Sequence, residues 1–297
     1  MFQFLIDTLV RTSDLALVAL GLSLVYGLVK FPNIAHVQYA MLGAYLSYFF
    51  QAAGVPMALA ILLSCCAVGA LTLVLHLLVF RRLLRSGPAI TMIGSLALAM
   101  LMVAFTLGLF GSFPLMFKLP LTAPLQIGEV RIGHTQLYAL ATTVLLLVLF
   151  SALLFYTSTG RAMRALSCNR ALAAASGLNA ENITRLVNFS SGALAALGGS
   201  MLAMTSGAHV NLGYDMLLPV FAAAILGGLG NPLGAVAGAF LIALTETVVT
   251  NLNFGWLLGK PVAFLPVAYI SAASFLILLL ALLFKPYGLF DREVRRV

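Results

Sequence analysis

The chain has 297 residues, 62% of them hydrophobic and 8% charged, with a formal net charge of +8 and a mean hydropathy of +1.10. Several uninterrupted apolar runs of about 20 residues fit bilayer-crossing helices; they exclude a soluble domain, and they exclude a β-barrel, whose strands would alternate with period two. Basic residues cluster in a few loops, the bias expected of cytoplasmic loops in a membrane protein, so the positive charge points to membrane lipid and to no nucleic acid.

Phe2 to Val10 is a short apolar prelude, and Thr12-Ser13-Asp14 offers cap residues for a first span from Leu15 to Val29. The start carries acids and no early basic cluster, unlike a cleavable signal peptide, so this first helix is expected to stay. Pro32 breaks the helix after Lys30-Phe31, because it lacks an N–H and disfavours the helical region at the residue before it. A second apolar limb, Val37 to Phe50, follows directly. Val55 to Phe80 is a full span ending at Arg81, Arg82 and Arg85, and Ala89 to Phe110 is the next. The stretch from Gly111 to His134, with Pro114, Pro120 and Pro124, reads as an outer loop before Tyr138 to Tyr156 returns.

The most polar internal stretch, Thr157 to Arg185, carries Arg161, Arg164, Arg170 and Arg185. Each such Arg costs about 2.5–3.5 kcal/mol at the centre of a membrane helix, so the stretch stands in water. Its Ala- and Leu-rich part is expected to be one helix stopped by Gly177, a solid handle on the membrane body. Ile183 to Met204 is a small-residue-rich span, and Ser206 to Asp215 reads as external. Two apolar limbs broken around Gly227, Gly228, Gly230, Asn231, Pro232 and Gly234 come next, then a last span from about Val262 to Phe284. This layout puts Lys30, Arg81, Arg82, Arg85, Arg161, Arg164, Arg170, Arg185, Lys285, Arg292, Arg295 and Arg296 inside, and Arg11, Lys118, Arg131 and Lys260 outside. By the positive-inside bias the handle and the C-terminus are cytoplasmic. The expected fold is all-α: a polytopic transmembrane bundle with broken or re-entrant helices, about 8–10 membrane segments, forming a single domain over residues 1–297.

Enzymatic constellations are thin. His36, His76, His134 and His209 have no H-x-x-x-H partner, and Cys65, Cys66 and Cys168 have no metal-type spacing, so no metal site is expected and the first two thiols read as reduced core groups. No phosphate-binding G-x-x-x-x-G-K-[ST] loop occurs, so any ATP is handled by another chain. Two Pro/Asn breaks, at Pro32-Asn33 and at Asn231-Pro232, echo one another, and broken helices in corresponding halves point to a translocation path. The plain alternative is that Gly and Pro are common in membrane helices. Asn33, His36 and Gln38 at the first break, Asn231 at the second and Glu246 beyond it are the candidate path residues; capping at a break, or packing for Glu246, is the alternative for each.

Gly21-Leu22-Ser23-Leu24-Val25-Tyr26-Gly27, then Asn33-Ile34-Ala35-His36 and Met41-Leu42-Gly43-Ala44-Tyr45, resemble the opening of LivH-type permeases of branched-chain amino acid ABC importers. Gly227 to Ala235 is similar to that family's second glycine-rich block, and Leu283-Phe284-Lys285-Pro286-Tyr287-Gly288-Leu289-Phe290 to its C-terminal tail. The resemblance implies a permease subunit of the bacterial cytoplasmic membrane that binds no cofactor itself. It works with two cytoplasmic ATPase subunits that carry the ATP, a second permease copy or sister chain, and an extracytoplasmic solute-binding protein. It also implies that the ATPase-coupling loop matches Arg161, Arg164, Asn169, Arg170, Ala173 and Gly177. The chain departs from the family where Asn169-Arg170-Ala171 replaces Asp-Arg-Glu, and where Val37-Gln38 follows His36 in place of Gly and an acid. The same family includes urea and amide permeases. An ion-coupled carrier, the main rival, calls for intramembrane charge pairs, for which only Glu246 and Lys30 offer themselves.

Overall fold

The computed structural model describes residues 2–120, 123–127, 130–252, 270–284 and 288–289. In chain order these form α1 (Phe2–Val29), α2 (His36–Ala52), α3 (Met57–Ser86) and α4 (Pro88–Phe110). A small antiparallel hairpin follows, β1 (Leu125–Ile127) with β2 (Val130–Ile132). Then come α5 (His134–Tyr156), α6 (Ser158–Cys168), α7 (Arg170–Ala175), α8 (Ala180–Ser206), α9 (Leu212–Leu226), α10 (Pro232–Asn251) and α11 (Ile270–Phe284). Six of the described helices are long and apolar enough to cross a membrane, and α9 and α11 are shorter apolar helices. The chain is an all-α polytopic membrane bundle.

α1 and α8 form its centre. In the most apolar window of α1, 83% of residues are buried, against 17% in α5. The reason lies in the small residues of α8. Gly192 faces Thr72 of α3, Gly198 faces Val18 of α1, Gly199 faces Ala40 of α2, and Ala196 sits against Gly43. Even a Cβ at these glycines would lie within 2.7 Å of the facing atoms and push the helices apart, so α8 holds three neighbours at once. Hydroxyls tie the same seams: Ser47 to Ser200 at 2.9 Å, Ser64 to the Gly43 carbonyl at 2.8 Å, Thr72 to the Asn188 carbonyl at 2.9 Å. Polar groups in hydrocarbon have no water to fall back on, so these bonds fix register as well as contact.

The bundle has two distinguishable ends. At one, Arg81 of α3 meets Glu181 of α8 at 3.0 Å, Phe31 lies 5.7 Å from Phe80, and Gly27 touches Gly230. The handle formed by α6 and α7 is at this end. At the other end Gln3 brackets the Arg131 backbone at 3.0 and 3.3 Å, Gln51 reaches the Lys118 carbonyl at 3.1 Å, and Leu115 pairs with Ala208.

Several sequence expectations are corrected. α1 is continuous from Phe2, with no cap at residues 12–14, because the Thr12 and Ser13 hydroxyls bond the Thr8 and Val10 carbonyls at 2.7 Å and so are satisfied inside the helix. The handle is two helices. Asn169 leaves the helical region at φ −151° and caps α7, its Oδ1 accepting from the Leu172 N–H at 3.0 Å. Gly177 does stop α7, in the left-handed region at φ 83°. Cys66 is exposed, not a core thiol. Residues 262–269 of the expected last span, Lys260, Lys285, Arg292, Arg295 and Arg296, and half of the tail motif, Lys285 to Tyr287 and Phe290, lie outside the described residues.

Candidate translocation site

After Val29 the chain turns at Lys30, φ 58°, and runs out of helix through Pro32 and Asn33 into a turn in which the His36 N–H donates to the Asn33 carbonyl at 3.2 Å. This link climbs back into the bundle. The His36 ring lies 3.1 Å from the Val18 carbonyl and 3.4 Å from the Ser191 hydroxyl. Val18 and Ser191 are each about 16 Å, at 1.5 Å per residue, from the handle-side ends of their helices. α2 therefore begins at half depth and runs from there toward the end opposite the handle.

α9 does the reverse. Beyond the end of α8 opposite the handle the chain passes through Ala208, paired with Leu115, and returns inward to Leu212. Gly213, the second residue of α9, packs against the Gln38 side chain and lies close to the Val37 carbonyl. So α9 also starts at half depth and runs to the handle end, where Gly230 meets Gly27. Two half-helices thus meet start to start at the centre, one running to each face. The counterpart of the link after α1 is the link after α8. The expected counterpart, the Gly227–Pro232 break, is instead a tight turn between the antiparallel helices α9 and α10. It is closed by Gly227 on Gly234 and by Gly238 on the Ala223 carbonyl, and Asn231 caps α10 by accepting from the Gly234 N–H at 3.1 Å. A tripeptide carried the correct correspondence: Ala35-His36-Val37 opens α2 and Ala208-His209-Val210 precedes α9.

The candidate path residues fall into three groups. Asn33, His36 and Gln38 are in the core, none more than 4% exposed. His36 is pinned between α1 and α8, while both amide atoms of Gln38 have no hydrogen-bond partner among the described residues. Glu246 is clamped: its carboxylate is 2.6 Å from Arg11 Nε and accepts from the Ser274 hydroxyl at 2.5 Å, joining α1, α10 and α11. Arg11, expected at the outer end, is thus part of an intramembrane ion pair. Asn231 belongs to the handle end, where a cavity of 100 Å³ is lined by Asn231 and Gly230, by Gly27 and Leu28 of α1, and by Met163, Arg164 and Ser167 of α6. Pro32 lies in the climbing link; Gly227, Gly228, Gly230, Pro232 and Gly234 belong to the α9–α10 turn.

Sequence reasoning missed a polar face at half depth. Asn211 and Asp215, at the start of α9, are exposed, and His209 Nε2 is 3.1 Å from Asp215 Oδ2, with side-chain exposures of 27% and 66%. A charged group there cannot face lipid without a cost of about 2.5–3.5 kcal/mol; such groups face a watery cavity or another protein.

Within the handle, the Arg164 guanidinium turns back, donating to the Leu154 carbonyl at the end of α5 and lying 5.4 Å from the Phe155 ring. Arg161 and Arg170 point to solvent, Ala173 is buried, and Leu178 N–H returns to the Ala173 carbonyl at 3.2 Å around Gly177.

A helical membrane body with half-helices meeting at its centre and a structured basic handle at one end is the architecture of a permease. Residues 4–284 match the model of the branched-chain amino acid transport system / permease component family. The chain belongs to that family. It is 26% identical to the high-affinity branched-chain amino acid transport system permease protein LivH of Escherichia coli K12, over 96% of this chain and 94% of the relative. It is 27% identical to the BraD permease of Pseudomonas aeruginosa over 99% and 97%, and 28% identical to a probable LivH of Methanocaldococcus jannaschii over 95% and 90%. Among solved structures, PsaBC from Streptococcus pneumoniae in complex with Fab matches with a TM-score of 0.49 and 15% identity, covering 97% of this chain and 94% of that one. As a permease component the chain is not an enzyme.

Proposed function

We propose that this chain is one of two permease subunits of an ATP-driven importer in a bacterial cytoplasmic membrane, moving branched-chain amino acids by alternating access. Its partners are two cytoplasmic ATPase subunits that bind the ATP, a second permease, copy or sister, and an extracytoplasmic solute-binding protein. The substrate class rests on the relatives' names; the mechanism rests on geometry.

The observation that carries the reading is the cavity where α6 meets the α9–α10 turn and the inner end of α1. Met163 and Arg164 of the handle line this cavity together with Gly230 and Asn231 of the turn that follows α9, so a shift of the handle changes the space beside the helix that ends at Leu226 and begins at half depth. Arg161, Arg170 and the 65%-exposed Leu172 give an ATPase both charge and an apolar knob to grip. Closure of the ATPases around nucleotide moves the handle as a rigid body, and α9 shifts against α2, opening the centre to one side at a time. The C-terminus is cytoplasmic on this reading, and neither metal nor nucleic acid takes part.

Reconstitution in liposomes tests it. Leucine uptake should require the ATPase, the binding protein and ATP together. Uptake by the permease alone, driven by an ion gradient, would make it a secondary carrier.

A further inference from the structure

The polar face at half depth has no role in the proposed cycle so far. It differs from the clamped pair Arg11–Glu246 in being open: Asp215 Oδ2 meets His209, whereas Oδ1 has no hydrogen-bond partner among the described residues and feels the Arg11 cation only at a distance. Asn211 stands one turn before it, with its backbone carbonyl accepting from the Asp215 N–H at 2.9 Å and its side chain exposed. Behind the same helix start lies an independent observation that points to a ligand. Gln38 is fully buried, neither of its amide atoms has a hydrogen-bond partner among the described residues, and it packs on Gly213. Buried amides left unsatisfied are uncommon because they give up their hydrogen bonds to water and gain none in return.

The geometry assigns the start of α9 as the solute station of the path. Asp215, flanked by Asn211 and His209, takes the ammonium of a zwitterionic amino acid. The Gln38 amide becomes available to its carboxylate when α9 parts from α2, beside the positive end of the α9 dipole. The site therefore favours solutes with both charges over uncharged amides. This rests on the permease reading for its role in transport, but not for its accessibility or its charge.

The test uses the full transporter in proteoliposomes with Asn211→Cys as a reporter in a background where the exposed thiols are removed by Cys66→Ser and Cys168→Ser, and two small methanethiosulfonate reagents, one bearing a trimethylammonium and one a sulfonate. With Asp215 present the cationic reagent should react at least 10-fold faster. With Asp215→Asn added, that preference should fall to near unity. A cysteine inert to both reagents, or reactive without preference for the cation, overturns the assignment. Asp215→Asn should also cut ATP-dependent leucine uptake at least 10-fold while the amount of assembled complex and its ATP hydrolysis stay within 2-fold of wild type. Uptake unchanged in that variant overturns the solute role. If wild type itself shows no ATP-dependent uptake, the importer reading fails, and the labelling still decides the site.

Discussion

Glu246 and Asp215 are both acids on apolar helices of the bundle, and their surroundings give them opposite duties. Glu246 is 2% exposed and held by Arg11 and Ser274, so it is a clamp among three helices. Asp215 is 66% exposed, and its Oδ1 makes no hydrogen bond among the described residues. Glu246→Gln leaves the Arg11 cation without its partner, and breaking such a buried pair costs up to about 3–5 kcal/mol. Arg11 keeps 29% exposure, so the cost falls toward or below the lower end of that range. A thermal melt of the purified permease should show the drop, and Arg11→Gln with Glu246→Gln together should recover part of it. Equal losses in the single and double variants would mean the pair is not what joins α1 to α10.

At the scale of elements, the two handle helices divide the work. All three arginines are exposed, but Arg164 turns its guanidinium back to the Leu154 carbonyl at the end of α5, whereas Arg161 and Arg170 make no bond of that kind among the described residues and face solvent. Arg170→Glu, with Arg161→Glu, is expected to reduce ATPase co-purification by at least 10-fold with no change in melting behaviour. Arg164→Glu should instead lower the melting temperature and loosen the α5–α6 corner. A double reversal at 161 and 170 that leaves co-purification intact would place the ATPase elsewhere.

A second element-scale contact comes from the tail. Gly288, at φ 90°, sits on Gly228, and the Leu289 N–H donates to the Leu226 carbonyl at 2.7 Å, satisfying the end of α9. A Cβ at Gly288 would lie 2.6 Å from the Gly228 backbone as well as straining φ. Gly288→Val should destabilise the permease by about 1–3 kcal/mol. A proteolysis time course in detergent measures it, and resistance equal to wild type would show that the tail does not hold the turn.

At the scale of the whole molecule, sidedness follows from which residues share an end. Lys30, Arg81, Arg82, Arg85, Arg161, Arg164, Arg170 and Arg185 lie toward the handle end, and Lys118 and Arg131 toward the other. On the proposed reading, the positive-inside bias has the handle in the cytosol. Asn169→Cys should react with a membrane-impermeant maleimide in inside-out vesicles and not in right-side-out ones; the reverse pattern would turn the whole scheme over.

Apolar run length and the placement of Arg sufficed to read the spans, the loops between them and the handle, because hydrocarbon penalises unpaired charge and unbonded backbone whatever the neighbours are. The same local rules made Pro32 a break and Gly177 a stop. Depth was not legible. Residues 206–215 look external because they are polar and short, yet the contact of Gly213 with Gln38, two positions separated by most of the chain, draws them to the centre. Arg11 looked like an outer charge until a partner on α10, 235 residues away, paired with it. Composition by itself determined that this is a helical membrane protein with a watery basic handle. Which polar groups are clamped, which are buried and which stay open was decided only by tertiary packing, since each is a property of two distant segments brought together.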